Sequence, residues 1–150
     1  MIEIYIDADG CPVKDETYRV AGRHNFKVIV VANKRLNIPL HPQFSMVVVS
    51  GDPDAADNWI AENIKPNDIC ITADIPLADR CLKAQAHAIA PRGDEWTEDN
   101  IGDALATREL MKGLREMGEA KGGPPPMTPR DRSAFLSGLE QLIQKIKRKK

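Results

Sequence analysis

The pattern that most limits how this chain can fold is a repeated handover from a short apolar run to a helical stripe. Met1 to Ile6 alternates, with Ile2, Ile4 and Ile6 on one side and Glu3, Tyr5 and Asp7 on the other, which is the period of a β-strand. Pro12, suited to a first helical turn, then precedes Val13, Thr17, Val20, Ala21 and His24 at helical spacing. Phe26 to Ala32, with the continuous apolar run Val28-Ile29-Val30-Val31, is as expected for a strand covered on both faces of a parallel sheet. Phe44 to Val49 reads as a third strand. After it, Asp52 and Pro53 predict the N-cap and first residue of a helix with Ala56, Trp59, Ile60 and Ile64 on its inner stripe. Ile69 to Ile71 is a fourth strand, followed by a helix carrying Leu77, Ala78, Cys81 and Ala84, and Ala86 to Ala90 is a short fifth. Alternation to about residue 90 predicts a mainly parallel sheet with helices on both faces.

Pro91 to Trp96 reads as a loop. Thr97 then caps a helix to about Met117, with Ile101, Leu105, Leu110, Leu114 and Met117 on its apolar face. Gly118 to Pro126, which holds Gly122-Gly123-Pro124-Pro125-Pro126, cannot be regular helix. Thr128 and Asp131 resemble a capping box opening a last helix, with Phe135, Leu139, Leu142, Ile143 and Ile146 as its stripe. At 150 residues the expectation is one domain, with a core over about 1–117 and a C-terminal loop and helix over 118–150.

Cys11, Cys70 and Cys81 are odd in number and lack CxxC spacing, which argues against a disulfide framework and a structural zinc site. The reading is a reducing, cytoplasmic setting. No apolar run is long enough for a membrane span, and Glu3 and Asp7 interrupt the start where a secretory signal would need apolar residues. Residues 130–150 hold seven Lys/Arg against two Asp/Glu, whereas residues 1–129 hold 14 against 20. A basic end on an acidic body suits nucleic-acid contact, and suits equally a solvated helix end with cations at its negative pole.

The acids fall in one kind of place. Asp7, Asp9, Asp52, Asp54, Asp57, Asp74 and Asp79 all lie at or just past the carboxyl end of a predicted strand. Ligands of open α/β sheets collect there. Part of this clustering is what helix N-termini attract in any protein. Like charges at about 4 Å nevertheless cost on the order of 4 kcal/mol at an effective dielectric of 20, and a cation among them removes that cost. Mg²⁺ or Mn²⁺ fits, since such ions take carboxylate oxygens and keep several waters. Asp7, Asp9, Asp74 and Asp79 are the expected metal ligands, and one of Asp54 or Asp57 is expected to join them. Thr72 would hold a carboxylate or water. Asn33, Lys34, Arg35, Ser50 and Arg92 fall on the same rim and are expected to meet substrate, the cations by contacting phosphates. The basic C-terminal end is expected to extend that path.

The segments Asp7-Ala8-Asp9-Gly10-Cys11-Pro12-Val13, Thr72-Ala73-Asp74-Ile75-Pro76-Leu77-Ala78, Pro91-Arg92-Gly93 and Gly122-Gly123-Pro124 to Phe135 resemble the YaiI/YqxD family of uncharacterised bacterial proteins, over nearly the whole chain. The core of that family is considered similar to PIN and NYN domains, which are Mg²⁺/Mn²⁺-dependent nucleases often acting on RNA. The resemblance implies a three-layer α/β/α sandwich of PIN-like type with two further C-terminal helices. It also implies catalytic acids at Asp7, Asp54 or Asp57, Asp74 and Asp79, with Thr72 beside them. The middle acid departs from the PIN pattern, where a Glu on a separate helix is usual. Two other readings stay open. Asp7-Ala8-Asp9-Gly10 also resembles the nucleophile motif of haloacid-dehalogenase-type phosphatases, with Ser50 as a second motif, although no Thr follows Gly10. The third is a non-enzymatic module binding nucleic acid or a partner through a degenerate site.

Overall fold

Parallel pairing around the first strand organises the molecule. In the computed structural model the described residues are 2–9, 11–116 and 127–148, with side chains described except at 112–116. Gly10, Met117, the Gly118–Pro126 loop, Lys149, Lys150 and the side chain of Leu114 therefore lie outside the described residues. Strand β1 (Glu3–Asp7) sits between β2 (Lys27–Ala32) and β4 (Ile69–Ile71), parallel to both. With β3 (Phe44–Val48), β5 (His87–Ile89) and β6 (Glu95–Trp96), the six-stranded order is β3-β2-β1-β4-β5-β6. Only β6 runs antiparallel, against β5. The chain steps outward from β1 to β3 and then crosses back to β4, so the order reverses between β1 and β4. That reversal is the usual ligand crevice of a doubly wound sheet.

Each strand of the centre feeds two cores. Ile4, Ile6, Val28, Val30, Ile69 and Ile71 pack on α1 (Lys14–His24) and α5 (Pro129–Arg148), against Val20, Ala21, Phe135, Leu139 and Ile143. Tyr5, Val31, Cys70 and Ala88 face the other way, onto α2 (Ala55–Asn63), α3 (Ile75–Lys83) and the start of α4 (Glu98–Glu116). The result is a three-layer α/β/α sandwich.

Several expectations change. Helix α5 is no appendage to a core ending near residue 117: Phe135, Leu139, Leu142, Ile143 and Ile146 are all buried and form half of one layer. Its seat depends on two glycines. A Cβ on Gly93 (φ +100°) would stand 2.5 Å from the Ala134 carbonyl oxygen, and one on Gly138 would stand 2.5 Å from the Gly93 oxygen. The Pro91–Trp96 loop contains β6, a strand too short for periodicity to show. β3 is an edge strand and only half covered, because nothing pairs beyond it. On α4, Ile101 is buried but Leu110 is 65% exposed, so the expected apolar face is not a core face along its length. Helix α2 starts at Ala55 with Asp54 in the N-cap position, not at Pro53 after Asp52. The Asp52 carbonyl accepts the Ala55 N–H and its carboxylate accepts the Ser50 hydroxyl, so residues 50–54 form a turn before the helix. Among the described residues, no helix is long and apolar enough to cross a membrane.

Candidate functional site

Asp7 is the last residue of β1, and its neighbour β4 ends at Ile71, so Thr72 emerges beside it. The Thr72 hydroxyl donates to Asp7 Oδ2 at 2.8 Å and accepts the Asp74 N–H at 2.9 Å. Thr72 is buried, and its carbonyl accepts the Trp96 indole N–H at 3.3 Å. Asp74 Oδ1 accepts the Leu77 N–H at 2.9 Å, which makes Asp74 the N-cap of α3, with Pro76 in the first turn as a helix start favours. One hydroxyl thus ties together the two acids that end adjacent parallel strands.

The third acid comes from across the cleft. Asp57, in the first turn of α2, lines the same cleft as Asp7 and Asp74. The Asp57 carboxyl is pushed up to about 7, first by burial, then by the charges of Asp74, Asp7 and Asp54. Asp7 is raised above the ordinary 3.8 as well, by burial first; the Thr72 hydroxyl pulls the other way, and the charges of Asp74 and Asp9 add to the rise. A cleft of about 230 Å³ lies between them, lined by Asp7, Asp9, Cys11, Pro53, Ala56, Asp57, Thr72, Ala73, Asp74 and Pro91. Among the described residues, no Lys, Arg or His lines it. The Cys11 thiol is buried and burial pushes it up, so it is not a stabilised thiolate.

The remaining expected residues stand elsewhere. Asp79, one turn into α3, pairs with Lys83 at 2.9 Å and does not line the cleft. Its position four residues before a lysine on the same helix face decides that. Asp54 is exposed and makes no side-chain capping bond, so of the two alternatives only Asp57 faces the cleft. Ser50 and Asp52 bond to each other in the exposed turn. Arg92 is drawn away by Asp131 at 2.7 Å. Asn33, Lys34 and Arg35 are exposed beyond β2. Asn33 and Lys34 line a second groove, with Lys14 and Leu36, that meets the acid cleft at Asp9. Lys147 is at the opposite rim: its Nζ lies 2.8 Å from His24 Nδ1 and 5.3 Å from the centre of the Phe26 ring, where β2 begins. The basic end of α5 therefore does not extend the path, because the helix runs from the cleft rim to the far one. Lys14 and Trp96 were not foreseen. Lys14 has no signal in spacing, and Trp96 reaches Thr72 only through the pairing of β6.

Among the described residues, no three His, Cys, Asp or Glu side chains are gathered as a ready metal cage. The donor set still fits a hard cation of the Mg²⁺ kind. Such an ion is commonly held by one or two carboxylates, with waters and substrate phosphates filling the other positions. Asp7 and Asp74 supply two carboxylates, preoriented by Thr72 and by the Leu77 N–H.

Fold and cleft together define a doubly wound α/β protein with an acidic crevice at its switch point. The chain belongs to the family described as "Uncharacterized BCR, YaiI/YqxD family", whose model matches residues 5–145. It is 55% identical to a "UPF0178 protein" of Rhodopseudomonas palustris over 150 residues, covering 100% of this chain and 95% of that one. It is 55% identical over 148 residues to the "UPF0178 protein amb2838" of Paramagnetospirillum magneticum, covering 99% and 98%. A "UPF0178 protein" of Nitrobacter winogradskyi is 55% identical over 147 residues, covering 98% and 94%. No solved structure matches the chain.

Proposed function

We propose that this chain is a Mg²⁺- or Mn²⁺-dependent nuclease of PIN-like type, hydrolysing phosphodiester bonds in RNA. The observation that carries the reading is the meeting of Asp7, Asp57 and Asp74 in one cleft that, among the described residues, no cationic side chain lines. When bound, the metal ion would supply a water of lowered pKa and neutralise charge on the phosphate. Asp7 and Asp74 would hold it, and the Thr72 hydroxyl fixes the orientation of Asp7. Asp57 faces the same cleft and would accept a proton from the attacking water. Asp9 is exposed at the mouth and would contact the ion through water. Three free cysteines suit a cytoplasmic setting for this activity. The phosphatase reading has less support, because Ser50 is held in a turn with Asp52 and does not line the cleft.

The test is single-stranded RNA with Mn²⁺, using wild type and Asp74→Asn purified in parallel. Cleavage is expected to fall at least about 100-fold in the variant. Calorimetry should show Mn²⁺ binding that is lost in the Asp7→Asn/Asp74→Asn double variant. Cleavage that survives Asp74→Asn belongs to a contaminant and overturns the reading. Hydrolysis of p-nitrophenyl phosphate without RNA cleavage would select the phosphatase, and neither activity would select the binding module.

A further inference from the structure

We propose that the groove on the far side of Asp9, lined by Ala8, Asp9, Lys14, Asn33, Lys34 and Leu36, holds a second phosphate of the same substrate. The substrate chain would then run from the acid cleft across Asp9 toward the β2–β3 end of the sheet, which makes it a polynucleotide and not a mononucleotide. The proposal rests on the nuclease reading and adds a direction and a lysine pair to it.

Charge sets the need. Among the described residues, the acid cleft offers an incoming polyanion no side-chain cation, and polynucleotide binding draws most of its affinity from cations set against phosphates. Most cations around that rim are already engaged. Lys83 is paired with Asp79, Arg92 with Asp131, and Arg132 with Glu16 at 3.2 Å and the Pro12 carbonyl at 2.7 Å. Arg80 is held by the Asn58 amide oxygen at 2.8 Å.

The groove differs. Lys14 Nζ donates to the neutral Cys11 carbonyl at 2.8 Å and forms no ion pair among the described residues, so two of its three donors remain. Lys34 is exposed and makes no hydrogen bond or ion pair among the described residues. The Asn33 amide beside it can both donate and accept. The groove has a volume of about 470 Å³ against about 230 Å³ for the acid cleft, and the two share Asp9. A polynucleotide occupying both would place phosphates on either side of that carboxylate, whereas a substrate with one phosphate would occupy the cleft alone. Surface lysines are ordinarily just solvated. What distinguishes this pair is a shared concave surface continuous with the acid site.

The test uses the full chain and a fluorescein-labelled single-stranded RNA of about 12 nucleotides, within the span of common single-strand sites. Ca²⁺ replaces Mg²⁺ so that binding is read without turnover. Lys14→Ala/Lys34→Ala should weaken binding about tenfold at low salt. It should also flatten the dependence of log Kd on log salt by about 0.7 for each lysine removed. Lys14→Arg/Lys34→Arg should restore both, and Lys147→Ala, at the opposite rim, should change neither. With Mn²⁺, the KM for RNA should rise in the alanine variant by a larger factor than the KM for bis(p-nitrophenyl) phosphate, which carries one phosphate. Equal RNA binding by wild type and the alanine variant overturns the proposal. So does an equal loss in Lys147→Ala, or a wild type with no affinity for the RNA. Lysine-dependent binding without hydrolysis of either substrate would overturn the nuclease reading and leave the phosphate groove standing.

Discussion

The two ends of β4 use the same residue type in opposite ways. Asp68, just before the strand, is 3% exposed, and each of its carboxylate oxygens accepts a backbone N–H, Glu3 at 3.0 Å and Lys65 at 3.0 Å. Burial pushes its carboxyl up while those two N–H groups pull it down. Asp68 thereby ties the start of β1 to the start of β4. Asp74, past the other end, spends one oxygen on its helix cap and otherwise meets Asp57, with Asp7 close behind Thr72. At one end an acid is consumed by backbone donors and holds the fold. At the other, acids face acids, an arrangement whose mutual repulsion costs stability.

The sharpest way to break this comparison is to remove one acid from each end. Asp68→Ala leaves two N–H groups unpaired in a buried place and should cost about 2–4 kcal/mol by urea unfolding. Asp74→Asn should cost clearly less in EDTA, because the loss of cap strength is offset by relief of repulsion. An equal loss at both ends would mean that Asp74 is structural.

Thr72→Val comes next. Removing the hydroxyl takes a donor from Asp7 and an acceptor from the Asp74 N–H, for an expected loss of about 1–2 kcal/mol. Mn²⁺ affinity measured by calorimetry should fall as well. A stability loss with unchanged affinity would reduce Thr72 to a fold residue.

A smaller effect lies in the pH dependence. The Asp57 carboxyl stands near 7 in the folded protein against 3.8 when unperturbed, so the folded state keeps a proton that the unfolded chain has released. The resulting stability is fully present below about 4 and is lost as pH rises through 7. In EDTA, wild type should be less stable at pH 8 than at pH 5, and Asp57→Asn should flatten the profile. At pH 8 the variant should be more stable by about 1 kcal/mol, a figure reduced for the side chain's contact with solvent. Adding Mn²⁺ should restore wild type at pH 8 and not the variant to the same extent. A pH profile identical in both proteins would remove Asp57 from the cluster.

The smallest effect is expected at Asp79. Its pair with Lys83 is a surface helix pair, so Asp79→Asn should change stability by no more than about 0.5 kcal/mol. Mn²⁺ affinity should not change. A lost metal site in this variant would return Asp79 to the ligand set from which its geometry removes it.

What was legible in the sequence was whatever a local period carries. The alternation of Ile2, Ile4 and Ile6, the apolar run Val28 to Val31, and the helical stripes of Val20, Leu77 and Phe135 determined the elements and the α/β class. Because the strands are parallel, their ends share a rim, so the gathering of Asp7, Thr72 and Asp74 followed from position alone. Tertiary structure decided the rest. Asp57 faces the cleft and Asp54 does not because α2 begins one residue after Asp54 and leans its first turn over β1. Asp79 pairs with Lys83 and Arg92 with Asp131, so neither lines the cleft. Helix α5 became a layer, and its basic end reached the far rim, through contacts across more than a hundred residues, such as Arg132 to Glu16 and Lys147 to His24. A periodic pattern states that a face will be buried. Which charges then meet depends on helix starts, close backbone approaches such as Gly93 on Ala134, and competition among partners, and none of these leaves a local period to read.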